Sequence, residues 1–417
     1  MKKLITLLLS VMLAFATCLG LVACNGDGDG DGSTPKTVKI GLICLHDDNS
    51  TYDKNFIDAF KAACQAKGVS YLIKTGIGES SACYEAAEDL VDQGCNLIFA
   101  NSFGHEDFMI EAAEEFTDVQ FFHATGTKAH TKQLSNYHNA FAQIYQGRYL
   151  AGVVAGLKLA EMEEGLAANK LDAEGNIKVG YVGAFPYAEV VSGYTSWYLG
   201  VNKGLALGGS QKQASMQVIY TSSWYDEAAE KTAAETLIGN GAALISQHAD
   251  SWGAPTACET AGIPNVSYNG STAERCPNTF LVSSRINWQP YYEYIIEQAQ
   301  QNKTVEYDFA AGFGAAWGDG SVALTELGAN VAEGTEAIIN DLMAQIKAGT
   351  LQVFDCSTFT VGGDAVTTYL ADVDDAGDFV GETEVIKTEN GITYFAESFY
   401  RSAPYFDLRI DGITELS

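Results

Sequence analysis

From Thr37 onward, short runs of β-branched and aromatic residues alternate with longer stretches in which apolar side chains recur every three to four positions. The strand-like runs are 38–45, 70–75, 96–100, 119–123, 178–182, 217–221, 243–247, 265–268, 280–284 and 309–313. Segments of helical period include 53–66, 83–92, 147–160, 226–238 and 291–300. Alternation on this scale predicts βαβ units, and so an α/β fold with parallel sheets covered by helices. The pattern falters over 161–176, where Gly, Asn and Asp intervene. One closed barrel fits poorly with that break, and two lobes of similar size are expected.

In open parallel sheets, ligands bind beyond the carboxyl ends of the strands, where loops converge. Those exits carry His46, Asp47, Asp48, Asn49 and Tyr52, then Asn101, Ser102 and Phe103. Further along they carry Ser222, Ser223, Trp224 and Tyr225, then His248, Asp250, Ser251 and Trp252, then Asn269, and finally Arg285, Asn287 and Trp288. Each has an ordinary explanation as a turn or cap residue or a core anchor. Their recurrence at successive strand ends is what points to a ligand site.

The amino-terminal pattern differs. Lys2 and Lys3 precede an apolar stretch from Leu4 to Val22 that is broken by Thr6, Ser10, Thr17, Cys18 and Gly20. This reads as a secretory signal over 1–23, too weakly sustained to prefer a membrane span. It ends in Leu21, Val22, Ala23 and Cys24, which resembles the bacterial lipobox, so Cys24 is the expected site of diacylation; an ordinary signal with an incidental cysteine is the alternative. Residues 24–36 then read as a flexible tether. Seven cysteines lie beyond Cys24, an odd number that forbids complete intramolecular pairing. A Cys258 to Cys276 bridge is possible, and buried thiols are the simpler expectation.

The 417 residues carry 53 acidic against 24 basic side chains, a net charge of −29. Removing 1–23 takes away two lysines and no acid, leaving 22 against 53, or −31. Such a surface repels phosphate backbones and anionic headgroups, which excludes nucleic acid and electrostatic membrane docking. Neutral or cationic small molecules suit it better than nucleotides. There is no GxxxxGK[ST] loop, no HExxH and no GxSxG, and the six histidines show no i,i+4 pair. Gly76 and Gly78 lack the remainder of a dinucleotide fingerprint. No cofactor, metal or catalytic residue is expected.

Longer ordered segments carry a family resemblance. "KIGLICLHDDNSTYDKNFIDAFKAA", "IFANSFGHEDFMIEAAEEFTDVQFFHATG", "YQGRYLAGVVAGLKLA", "KVGYVGAFPYAEVVSGYTSWYLGVN" and "SSWYDEAAEKTAAETLIGNGAALISQHADS" follow one another in the order seen in basic membrane protein family lipoproteins. The chain thus resembles the substrate-binding component of ATP-driven importers for purine nucleosides. The resemblance implies a type I periplasmic-binding-protein fold, two Rossmann-like lobes joined by a hinge that closes on the ligand. The expected lobes are 37–137 with 285–325, and 138–284 with 326–417. It also implies a purine ring between aromatic faces, with Phe56 or Tyr52 on one side and Trp224 on the other. Asp53, Asn55, Asn101, Ser102, Phe103 and Asp107 would fall on the first lobe's site loops, and Asp250 and Ser251 on the second's. Asn269 and Arg285 stand where the family's nucleoside binders hold ribose with an aspartate and a lysine, which leaves a free nucleobase as a competitor. Trp288 and the adjoining Pro290 to Tyr292 resemble a branch with a WYDP segment. The stretch from Arg401 reads as an elaboration with little ligand chemistry.

The function implied is a lipid-anchored, extracytoplasmic binding protein that delivers a purine nucleoside or nucleobase to an ABC permease and its ATPase. The alternatives are a sensory lipoprotein that presents the bound molecule to a signalling partner and, further off, a secreted nucleoside hydrolase.

Overall fold

The computed structural model describes residues 37–313, 320–374 and 380–416. The leader, Cys24 and the whole of the tether lie outside them. The first part of the chain alternates β1 (Lys39–Ile43), α1 (Thr51–Lys67), β2 (Ser70–Lys74), α2 (Ser81–Asp92), β3 (Leu97–Ala100), α3 (Glu106–Glu115), β4 (Gln120–Ala124), the short α4 (Ala129–Lys132) and β5 (Tyr137–Ala142). There follow α5 (Ile144–Met162), β6 (Ile177–Gly183), α6 (Ala188–Leu207), β7 (Ala214–Tyr220), α7 (Glu227–Gly239), β8 (Ile245–His248), α8 (Gly253–Ala261), β9 (Asn265–Tyr268) and β10 (Phe280–Ile286). Then come α9 (Gln289–Gln300), β11 (Asp308–Ala311), β12 (Val322–Leu324) and α10 (Thr335–Lys347). Three small hairpins lie between 360 and 395, and a last strand, Ile413–Leu416, pairs in parallel with β7.

Two sheets result. The first has the order β11-β5-β4-β3-β1-β2, with parallel neighbours. The second runs β12-β10-β9-β8-β6-β7 and ends on the 413–416 strand; it is parallel except where β12 meets β10. The chain passes between the sheets after β5, after β10 and between β11 and β12. Sheet membership departs from the expected lobe ranges: residues 138–142 belong to the first sheet, and Arg285, Ile286 and β12 to the second. The stretch 161–176, where the alternation falters in sequence, holds a pair of 3-10 turns leading from α5 into β6.

The second sheet is built around α5 and α6. Residues 147–157 of α5 and 190–201 of α6 are all buried, so neither helix has a wet face over that length. What lets them touch is glycine. A Cβ on Gly152 would strike the Trp197 carbonyl, one on Gly156 the Val201 carbonyl, one on Gly200 the Tyr149 carbonyl and one on Gly204 the Val153 carbonyl. Glycines four residues apart on both helices thus set backbone against backbone and fix the platform behind the strand exits of the second sheet.

Candidate functional site

The strand exits of the two sheets face one another across a cavity. The first side supplies Leu45 and His46 after β1, Tyr52 and Asp53 from the first turn of α1, Ser102 and Phe103 after β3, and Thr125 after β4. The second side supplies Glu189 from the first turn of α6, Trp224 after β7, His248 and Asp250 at the end of β8, and Tyr268 from β9. The space among them is about 360 Å3 with its open mouth included. The two sides touch directly. The Thr51 backbone N–H and hydroxyl both donate to the Asp250 carbonyl, at 3.0 and 3.1 Å. Phe103 and Tyr187 rings lie 5.3 Å apart, and His46 and Tyr225 5.4 Å apart.

Local chemistry holds each group. Ser50 caps α1 by accepting from the Asp53 N–H, which places the Asp53 carboxylate beneath the 45–49 loop. There it accepts from the His46 backbone N–H at 3.2 Å and from Asn101 Nδ2 at 2.8 Å. Burial pushes the Asp53 carboxyl up, but the bonds from His46, Asn101 and Ser50 outweigh it and leave the group below its ordinary range. Asp250 is the reverse case: burial, then the charges of Asp53, Glu230 and Glu189, hold its carboxyl well above the usual value against the opposing Arg148. Glu189 is pushed up to about 7 by burial, with Arg148 opposing. Burial and Arg148 push His248 well down, so its imidazole is neutral, with Nε2 3.3 Å from Glu189. Arg148 itself is buried under the Tyr268 ring, 3.4 Å from its centroid, and donates to the Gln247 carbonyl.

Thr125 is the least ordinary member of the wall. It is 3% exposed, its φ is 64°, and its hydroxyl has no hydrogen-bond partner. A β-branched residue in the left-handed region is a genuine outlier and requires something to hold it there. That something is Glu106, a buried carboxylate that accepts from the backbone N–H groups of Thr127 and Lys128, from the Tyr137 hydroxyl and from Asn139 Nδ2. Gly126 between them leaves no room for a Cβ, which would meet Asn139 and Glu106.

Of the residues picked out by sequence, His46, Tyr52, Asp53, Ser102, Phe103, Trp224, His248 and Asp250 line the cavity. Phe56 does not: it is fully buried and stacked on Trp288 at 4.6 Å, and both belong to the first sheet's core with Phe99 and Phe141. Tyr52 takes the aromatic position on that side, its hydroxyl donating to the Asn101 carbonyl at 2.6 Å. Asn101 lies behind the wall, between Asp53 and the Leu45 N–H. Asn55 donates to the Ile286 carbonyl at 2.8 Å and ties α1 to β10. Asp107 points outward, paired with Lys128 at 2.6 Å. Ser251 opens α8, accepting from the Gly253 N–H while its own N–H donates to Glu230. Asn269 and Arg285 share a separate groove with Thr51, Asn55 and Trp252.

The sequence reading missed Thr125, Glu189 and Tyr268 as site residues. Two had a signal available: Thr125 follows the 119–123 run and Tyr268 closes the 265–268 run, both strand exits. Glu189 lies in the first turn of α6, a helix whose apolar side chains run around all faces and so show little period.

Residues 42–353 match the family described as ABC transporter substrate-binding protein, PnrA-like. A purine-binding protein of Brucella abortus is 28% identical over 336 residues, covering 78% of this chain and 85% of its own length. A putative ABC transporter glucose-binding protein of Haloferax volcanii is 28% identical over 264 residues, 63% of this chain and 60% of its own. An ABC transporter system solute-binding protein of Aeropyrum pernix aligns with a TM-score of 0.61 at 14% identity, covering 78% of this chain and 94% of its own; that likeness speaks to fold, the type I arrangement of parallel sheets. The family match spans well over half of the chain and agrees with the cavity's placement at facing strand exits: this protein belongs to the PnrA-like ABC transporter substrate-binding proteins, a family of solute-binding proteins rather than enzymes.

Proposed function

We propose that the protein captures a purine, as base or nucleoside, in the cavity between the sheets and delivers it to an ABC permease, held outside the cytoplasm by a lipid on Cys24. The observation that carries the reading is the lining: Tyr52 and Trp224 offer aromatic faces from opposite sides, while Asp53 and Asp250 offer carboxyl edges. Stacking grips any flat heteroaromatic ring, and edge hydrogen bonds choose among them. The name of the Brucella abortus relative supports the same ligand class. The acidic wall disfavours phosphorylated forms. Glucose, from the name of the Haloferax volcanii relative, is the natural counter-ligand.

Titration calorimetry with adenine, guanine, hypoxanthine, their nucleosides and glucose tests this. A purine Kd near micromolar, about −8 kcal/mol, is expected, with glucose silent. Heat from glucose and none from any purine refutes the reading. For the anchor, Cys24→Ala in the native host releases the protein from the membrane fraction; continued retention refutes lipidation there.

A further inference from the structure

Arg148 is a buried charge without a counter-charge in contact. It lies on α5, is 1% exposed, and makes no ion pair among the described residues. Its Nη1 donates to the Gln247 carbonyl at 2.7 Å, while Nε and Nη2 have no hydrogen-bond partner. Burying a guanidinium with two idle donors costs stability, and the groups it acts on lie at the cavity wall.

His248 is one of them. Gly193 of α6 admits its ring: a Cβ there would lie 2.7 Å from His248 Nδ1 and 3.6 Å from Arg148 Nε, so both unpartnered nitrogens border one small space. In a neutral imidazole one nitrogen donates and the other accepts. A proton on Nδ1 would set a donor beside the guanidinium's own donors, with no acceptor for it among the described residues. A proton on Nε2 is directed instead at Glu189 Oε1, 3.3 Å away. The surroundings of the ring thus select the Nε2–H tautomer.

Glu189 stands in the first turn of α6, where the helix N-terminus favours its charge, and lines the cavity with its side chain 10% exposed. Among the described residues it accepts from His248 alone, so its second oxygen is unused by the protein. The other carboxyls of the lining are less available. Asp53 already accepts from the His46 N–H and from Asn101, and Asp250 holds its proton. We propose that Glu189 is the specificity-determining acceptor of the cavity, reading an N–H donor of the ligand, and that His248 and Arg148 are positioning residues. Arg148 fixes the tautomer of His248, and His248 holds the Glu189 carboxylate at the wall. The affinities expected below rest on the purine reading above; the tautomer does not.

Two-bond 1H–15N spectra of the full chain, with His248 assigned by its absence in His248→Asn, read the tautomer without ligand. The Nε2–H form is expected in wild type, and Arg148→Met turns it into a mixture with the Nδ1–H form. Calorimetry with adenine and guanine reads the consequence. Glu189→Gln weakens purine binding by about tenfold to a hundredfold, the worth of a hydrogen bond to a charged group. Arg148→Met costs about fivefold or more in the wild-type background and less than about twofold in Glu189→Gln, because its effect passes through that carboxylate. Should Arg148→Met fold poorly, His248→Phe takes its place in the cycle with the same pattern expected. An Nδ1–H form in wild type, unchanged affinity in Glu189→Gln, or equal losses in both backgrounds overturns the assignment and leaves the purine reading standing. No heat from either purine refutes that reading, and the spectra then decide alone: a tautomer that Arg148→Met shifts supports the positioning roles, and one that it leaves unchanged overturns them.

Discussion

Thr125→Gly separates a residue kept for binding from one kept for folding. In wild type the left-handed backbone costs a residue with a Cβ about 1–2 kcal/mol, and a buried hydroxyl without a partner costs about 1–3 kcal/mol more. Both costs are present here, at φ 64° and 3% exposure. Glycine removes both. It gives back about 0.5–1 kcal/mol in chain entropy and about 0.8 kcal/mol for the lost methyl contact. The balance favours the variant by about 2 kcal/mol, within a range of about 0.2–3.7, read as a higher denaturation midpoint in guanidinium at unchanged slope. Thr125→Val keeps the strained backbone and loses only the hydroxyl, so its gain comes from the second cost alone. In calorimetry both variants bind the cognate ligand about tenfold more weakly, the worth of one buried hydrogen bond. A Gly variant less stable than wild type shows that the Glu106 cluster does not hold Thr125 against strain. Unchanged affinity in both variants shows that the hydroxyl does not meet the ligand.

The platform and the aromatic wall yield further tests. Gly200→Ala places a methyl group against the Tyr149 carbonyl, so α5 and α6 must part; a loss of about 2–3 kcal/mol in urea unfolding is expected, and a loss under about 0.5 argues that the helices slide apart freely. Trp224→Ala removes the second side's face and weakens purine binding by about 1–2 kcal/mol; wild-type affinity refutes stacking there. Glu397 is pushed up to about 7 by burial, against the bonds from Ser192 and Ser398 and the charge of Arg401. An acid raised in the folded state binds its proton more tightly there than when unfolded. Its contribution is whole below about 4.5, the unfolded value, and is lost as pH rises to about 7. Glu397→Gln therefore gains on wild type between pH 5 and 8, by about 1–3 kcal/mol, and paired melts that keep a constant gap across that window contradict the assignment.

Much of the scaffold was legible because its strands are short apolar runs bounded by turn residues, and their exits carried Tyr52, Asp53, Ser102, Phe103, Trp224 and Asp250 into view. β5 was not among the expected strands. Its Tyr137, His138 and Asn139 are polar yet buried, satisfied by Glu106, Gln120 and the Glu306 carbonyl, contacts 18 to 168 residues away in sequence. No local pattern announces a polar strand whose partners are that distant. Phe56 and Trp288 show the converse. An aromatic at a helix start reads alike as ligand platform or core anchor, and only the fold, which stacks the two on each other, decides between them. The odd cysteine count resolves simply, since all seven thiols from Cys44 to Cys356 are free and buried.

Closure itself has an electrostatic cost that a ligand can offset. The Thr51 bonds to the Asp250 carbonyl bring the Asp250 carboxyl from the second side toward the Asp53 carboxylate from the first, and the charge of Asp53 is one reason Asp250 holds its proton. When Asp250 loses that proton, two buried negative groups face one cavity, and the closed arrangement weakens relative to an open one in which water screens both. N–H donors of a ligand set between the carboxyls would restore the balance, and the expected outcome is that ligand binding and closure favour each other. Small-angle scattering of the ligand-free protein tests the coupling. Wild type expands as pH rises through the raised Asp250 value, because the stabilisation carried by that proton exists only below it. Asp250→Asn, unable to ionise, stays compact over the same range. Matching profiles for the two proteins show that the carboxyl pair does not govern closure.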